Sequence, residues 1–545
     1  MQLRSSLAVL LAAAALLRAE PAAAQAGPHF LPVGGPFLAS QSTSFAQKQG
    51  RVAMSGDGSL IAVTWAASAP SFAVMLRLFD GAGAPLTNEI LVNDTLNEYI
   101  QDEPSVALDE LGNVLVCWSD RFGYDGDLMG VFARVFHGTG PSLGLPYATE
   151  FQLSTQWQQS QWEPFCKGRP GGGFVIGWTG KSDGDSYLRL FGPDGTPLGG
   201  EIEVNTLKNN AQTDPEPSVA RDGTIFAAWI DFGGNGGAGN GTNIFARTFS
   251  ATGVPQQPVE FIVNSNSLPG EQREPKSCAD GTGHFIVTWE DRQTDANGTD
   301  IMARRYNTSG APLGPEFQVN TSSAGDQVFP ELAADWVGNF VIAWEDRALP
   351  GDSEIKARRF DAHGAPLGNE FTVTTVSAGN QSFPGVAMDW SGQGIAFCYE
   401  TIGNQLDEAL QLYRFDALTE DGRATPGGAV SLQLDLPGGA GLYRIVLASL
   451  GTQPGLALPD GRTLQLGYDP LFELTLTAGG TGGVFTGFTG LLDGSATATA
   501  SLALPPNPGL VGLPLHFATV TLDLAQPTLA TQLRHVTDPL QVTIQ

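Results

Sequence analysis

With 545 residues the chain is long enough for two or three domains with sizeable cores. Its 56 acidic against 28 basic residues leave a net charge of -28, which excludes a nucleic-acid partner held through phosphate contacts. Four cysteines in this length exclude a disulfide-built scaffold; bridges and buried free thiols both fit Cys117, Cys166, Cys278 and Cys398.

The first segment, residues 1–26, has a basic start, a short apolar run and small residues at Ala22, Ala24 and Ala26, the pattern of a secretory signal peptide. The run is too short to span a bilayer and no later segment is long enough, so the protein is expected to be exported and not membrane-spanning, with the cell surface or periplasm as further locations. Residues 34–40, GGPFLAS, form a short strand that recurs later as LGPEFQV around Phe317.

From residue 50 one unit repeats seven times. Its second strand ends in an aromatic residue at Trp65, Trp118, Trp178, Trp229, Trp289, Trp344 and Tyr399, spaced 51 to 60 residues apart. A first strand of the PSVALD type precedes it, a third of the IMARRY type follows, and a fourth of the EFQVN type closes the unit. Four antiparallel strands at this period make a β-propeller blade. The seventh unit stops after its third strand, and the missing fourth stands at the N-terminus. Residues 28–420 are therefore expected to form a seven-bladed propeller closed by an N-terminal strand, which removes the exposed sheet edges. Residues 426–545 carry ten charged residues and no Lys, in alternating runs such as VSLQLDL and FATVTLDL. They are expected to form a small all-β sandwich.

The unit G-(N/H)-F-V-I-x-W-E-D-R…I-x-A-R-R-F-D-x-x-G-A-P-L-G-x-E-F-x-V-N is clearest in residues 283–320 and 338–374. It resembles a repeat of large secreted and surface proteins of bacteria, in which propellers stand beside sandwich modules. The resemblance implies an extracellular binding or structural role and supplies no catalytic residues.

Alternating strand direction puts the links into each first strand and the loops between second and third strands on one face. There Gln47, Gln101, Gln161, Gln272, Gln327 and Gln381 recur three residues before Pro or Gly50, and Glu103, Glu163, Glu216 and Glu274 stand just before a Pro. These residues, with Trp157 and Trp162 in an extended link, are expected to form a ligand-binding face. Asp120, Asp231, Asp291 and Asp346 follow the strand aromatics by two residues, and the spacing predicts that they pair with the Arg of the third strand. Asp295, Asn297 and Asp300 form an Asp-x-Asn-Gly run suited to Ca²⁺, with a plain turn as the alternative.

The six His form no zinc set, and neither a Gly-x-Ser-x-Gly elbow nor a phosphate loop occurs. The sequence is read as a secreted, non-enzymatic binding or surface protein, with a glycan or protein ligand on the acidic face and calcium as a helper. The alternatives are an extracellular polysaccharide hydrolase or lyase on a propeller, and a structural module of an envelope assembly.

Overall fold

Seven antiparallel sheets, six of four strands and the last of five, make up the propeller. The computed structural model describes residues 30–415 apart from 42–45, 69–72, 95–99, 122–128, 156–159, 181–183, 209, 234–240, 265–269, 294–297, 323, 350–351, 375–378 and 403–405. Beyond these it describes the strands and parts of their connections between 418 and 544. Blade one comprises Gln47–Met54, Leu60–Ala67, Ala73–Asp80 and Ile90–Leu91, and the next five blades repeat it. The first strand of each blade lies against the first strands of its two neighbours, and that of blade seven lies against that of blade one, so the ring is closed.

Closure uses the expected segment. Phe37–Leu38 pairs antiparallel with the third strand of blade seven, Phe37 opposite Leu410 and Leu38 opposite Ala409. The next residue, Ala39, is fully buried; its N–H donates to the Glu408 carbonyl (2.9 Å) and its own carbonyl accepts from Arg77 Nη1 of blade one (2.9 Å).

That last contact recurs around the ring. Arg134, Arg189, Arg247, Arg304 and Arg358 each donate to the fourth-strand exit of the preceding blade, at Val92, Leu153, Val204, Val263 and Val319. Each guanidinium also stacks on the aromatic ring two residues on, 5.6 or 5.7 Å from its centroid. The third-strand Arg is thus a clamp between blades. The expected pairing with the Asp after the strand aromatic does not form in this way, and register explains why. Arg134 stands opposite Val116 and Asp120 opposite Gly130, a separation of four residues, or about 13 Å along a strand.

The strand aromatics fill the seams. Trp65 packs with Ala387 and Leu410 of blade seven, Trp118 with Ala62 and Leu76 of blade one, and Trp344 with Ile286 and Ile301 of blade five. Burying rings of this size dominates the energetics of such seams. Where the fourth strand ends in Asn, that residue ties the blade to its own third strand. Asn93, Asn264 and Asn320 accept from the N–H of Val74, Ile244 and Ile301, each 2.9 Å away. All four cysteines are free thiols.

The C-terminal unit contains two larger antiparallel sheets. One is built on Ala429–Asp435 and Thr497–Ala503, the other on Tyr443–Ser449 and Pro514–Leu522. Val430, Leu432, Val446, Leu515 and Phe517 share one core between them. Leu418–Glu420 pairs with Ala429–Asp435, so this unit takes up chain from before residue 426.

Candidate functional site

Every first strand contains the same defect. Its pairing with the second strand slips near its start, between Lys48 and Arg51, Asp102 and Ser105, Trp162 and Phe165, Thr213 and Glu216, Arg273 and Lys276, Val328 and Glu331, and Ser382 and Gly385. One residue of each bulge is left-handed: Gln49, Glu103, Glu163, Asp214, Glu274, Phe329 and Phe383, with φ between 48° and 58°. A left-handed residue with a side chain costs about 1–2 kcal/mol, and Gly would avoid the cost. None of the seven is Gly. These bulges lie on the innermost strands, at the end where the chain enters each blade, so the seven side chains ring one mouth of the central channel.

The neighbouring blade holds six of the seven bulges in place, Glu274 being the exception because the corresponding blade-four residue is Ile230. Ser119 Oγ accepts from the Glu163 N–H (3.0 Å) and Thr179 Oγ1 from that of Asp214 (2.9 Å). Glu290 accepts from Phe329 (2.7 Å), Glu345 from Phe383 (3.4 Å) and Glu400 from Gln49 (2.6 Å). In blade one the post-aromatic residue is Ala66, which has no acceptor, and the Gln49 side chain bonds the Glu103 N–H instead (3.1 Å).

The mouth is asymmetric. Blades two to five contribute four successive acids, and blades six and seven contribute Phe329 and Phe383. Glu163 and Asp214 stand on adjacent bulges, and Asp214 Oδ1 is buried without a hydrogen-bond partner among the described residues. Burial, then the contact with Asp214 and its charge, push Glu163 far above the usual carboxylate range. Glu103 is fixed from below: Arg121 pairs with it and with Asp102 (2.9 Å to Asp102), and Ser119 Oγ donates to it (2.8 Å). Burial also raises Glu274, against the pull of Lys276. One layer deeper, Arg51 reaches Glu331 (3.8 Å) past Gly385, Lys167 meets Glu216 (3.3 Å), and Lys276 lies 4.1 Å from the centre of the Phe165 ring.

This arrangement revises the residue set taken from the sequence. The bulge puts Asp214 in the mouth, where Glu216 was expected, because QTDPEPS contains two acid-Pro pairs and the register slip falls at the first. Glu216 belongs to the layer of Lys167. The recurring glutamines, Gln47 and Gln212 included, are buried inside their blades. Gln101 bridges Asp120 (2.9 Å) and the Trp118 indole (2.7 Å), Gln272 bonds Asp291 (2.9 Å), and Gln327 bonds Asp346 (3.4 Å). Gln161 and Gln381 occupy the same buried position. Asp120, Asp291 and Asp346 therefore meet the first strand, and Asp346 also pairs with Lys356 of the third strand. Trp162 is half-buried beside Glu163 in sequence; Trp157, Asp295 and Asn297 lie outside the described residues. Asp300 accepts from Asn320 (2.7 Å). Among the described residues no group of three or more His, Cys, Asp or Glu is arranged to hold a metal ion.

A second buried acid lies at the closing seam. Glu408, wholly buried, occupies a third-strand position held by Val74, Val131, Ile244, Ile301 and Ile355 in other blades. Its carboxyl fills the space where a side chain at residue 50 would stand, which accounts for Gly50 where six blades have Pro. Burial, then the charge of Glu400, pushes it well above its ordinary range, with Arg51 opposing. The native protein holds this proton where the unfolded chain has released it, so stability falls as pH rises from about 4.5 through the raised native value. Asp102 at about 6 and Glu290 at about 7 act in the same direction. The thermal midpoint of the propeller is expected to drop on going from about pH 5 to about pH 8, and Glu408→Gln should flatten that slope in melts across the range. An unchanged slope would mean that Glu408 does not carry the dependence.

No family model matches the chain, and no curated protein does. Solved structures match over the propeller. An ulvan lyase from a new polysaccharide lyase family is 10% identical over 72% of this chain and 96% of its own, with a TM-score of 0.46. The Penicillium chrysogenum α-L-arabinanase complexed with arabinobiose is 12% identical over 71% and 99%, with a TM-score of 0.43. A Dyadobacter fermentans protein of unknown function is 9% identical over 71% and 100%, with a TM-score of 0.45. At these identities the likeness is one of fold. Against the expectation of a non-enzymatic binding protein, the first two of these structures are named as enzymes, a polysaccharide lyase and an arabinanase.

Proposed function

We propose that the chain is an exported glycoside hydrolase that cleaves neutral polysaccharide at the mouth of the propeller. On this reading residues 1–26 are a signal peptide, and the C-terminal unit is a β-sandwich appended to the catalytic propeller. What supports the proposal is the placement of Glu163 and Asp214 on adjacent bulges of the half-buried channel mouth, where burial and the nearby Asp214 push Glu163 far above the usual carboxylate range. Protonated Glu163 gives its proton to the glycosidic oxygen as the bond to the anomeric carbon breaks. Glu103, oriented by Arg121 and Ser119, is the carboxylate that supports the positive charge developing on the sugar. Water then adds to the anomeric carbon, and the proton it loses restores the carboxyl pair.

The electrostatics favour hydrolysis over lyase chemistry. Elimination next to a uronate carboxylate calls for a cation to stabilise the charge that develops there. Cations near this mouth already face carboxylates: Arg51 with Glu331, Lys167 with Glu216, and Arg121 with Asp102 and Glu103, while Lys48, beside Gln49, acts on Asp102 through its charge. Lys276 lies beside Glu274. An anionic sugar would meet an acidic rim.

The test is a screen of the purified protein on arabinan, xylan and galactan, and on polygalacturonate and ulvan. It is read for new reducing ends and for ultraviolet-absorbing unsaturated ends. New reducing ends from a neutral polymer, without unsaturated ends, are expected. Unsaturated products from the uronate polymers, or no cleavage of any, would refute the proposal.

A further inference from the structure

The acidic arc leaves two mouth positions unexplained. We propose that Phe329 and Phe383 form the platform on which a neutral sugar ring of the substrate stacks, across the channel from Glu163; this rests on the hydrolase reading above. In blades one to five the left-handed position carries a polar or acidic side chain, and in the adjacent blades six and seven it carries Phe. A bulky residue is the least suited to this backbone region. Both rings are half-buried, with centroids 4.5 Å apart and planes at 33°. A ring recruited only for packing would be enclosed like Trp65 or Trp344, which are fully buried. These two instead stand in a polar rim between Glu274 and Gln49.

The platform is held rigid from behind. The Phe329 and Phe383 N–H groups are bound by Glu290 and Glu345, the side chain of Glu345 pairs with Arg347, and the Arg347 guanidinium covers Phe329 at 5.3 Å. One face of Phe329 is therefore backed by Arg347. Blade order supplies the rest of the geometry: in a ring of seven, the seam between blades six and seven lies across the axis from blade three, which carries Glu163. A sugar resting its C–H face on the phenyl pair thus sits in the channel mouth opposite the carboxyl that holds the proton. Aromatic rings select by the apolar face of the sugar and offer nothing to a carboxylate or sulfate, which agrees with a neutral substrate.

The experiment compares Phe329→Ala, Phe383→Ala and the double variant with Phe329→Tyr and Phe383→Tyr, checking each fold by its thermal midpoint. Kinetics are measured on the neutral polymer that the wild type cleaves. Binding of arabinan, xylan and galactan oligosaccharides is measured by calorimetry in a Glu163→Gln background. The Ala variants should raise KM about tenfold, and the double variant more, with kcat changed less than about threefold, because a contact made equally in ground and transition state acts on KM. The Tyr variants should recover most of the loss. Ala variants with wild-type KM and binding overturn the platform while leaving the hydrolase reading intact. Oligosaccharide binding that depends on the Phe pair, in a protein that cleaves nothing, keeps the platform and removes the hydrolase. Neither binding nor cleavage removes both.

Discussion

Glu163→Gln should lower the rate of glycan cleavage roughly hundred- to ten-thousand-fold, the usual range for loss of a positioned general acid. The amide keeps the shape and neutrality of the protonated carboxyl, so the fold and the Ser119 bond to the residue 163 N–H should survive. Asp214→Asn has a different and more diagnostic effect. Asp214 raises Glu163 through its close contact and its charge. Without that charge Glu163 ionises at lower pH, and because activity needs the protonated form, the alkaline limb of the pH–rate profile should move to lower pH. A general acid that owed nothing to Asp214 would show no such displacement. The two variants together separate the acid from the group that tunes it.

The largest effect on stability is expected at the closing strand. Ala39→Asp should destabilise the propeller by about 4 kcal/mol or more, since it places an unpaired charge at a fully buried site. It would do so where Ala39 joins two blades, through the Glu408 carbonyl and Arg77. The neighbouring Leu38 is 39% exposed, on the opposite side of the strand. Leu38→Asp should therefore stay within about 0.5 kcal/mol of wild type. Denaturant unfolding of the two variants checks this: equal loss in both would mean that the N-terminal segment does not close the ring as described.

Much of this architecture was legible in the sequence, and the reasons differ by element. The aromatic at each second strand is large, periodic and confined to the seams, so seven blades could be counted from it. Closure was legible because the missing EFQVN-type strand left a matching surplus at the N-terminus. Among the mouth residues, Glu103, Glu163 and Glu274 showed through their place before Pro. Asp214 was hidden by the second acid-Pro pair of QTDPEPS, although Gln212, three residues before Pro215, marks the right one. Phe329 and Phe383 were not marked by the sequence, because an apolar residue in a strand carries no sign of a left-handed bulge. The glutamines read as a polar rim because their partners, the Asp residues after Trp118, Trp289 and Trp344, are set by cross-strand register, which residue types alone do not specify. The bacterial repeat resemblance pointed to the propeller and away from enzymes. Repetition made the scaffold readable, whereas the chemistry rests on a few mouth positions that depart from the repeat.

The proposed hydrolysis requires a proton on Glu163 at neutral pH, and infrared difference spectroscopy reads that directly. Wild type minus Glu163→Gln at pH 7 should show the carbonyl stretch of a protonated carboxyl, and in Asp214→Asn that band should titrate away at lower pH. A difference spectrum containing only ionised-carboxylate bands at pH 7 would contradict the assignment of Glu163 as the acid.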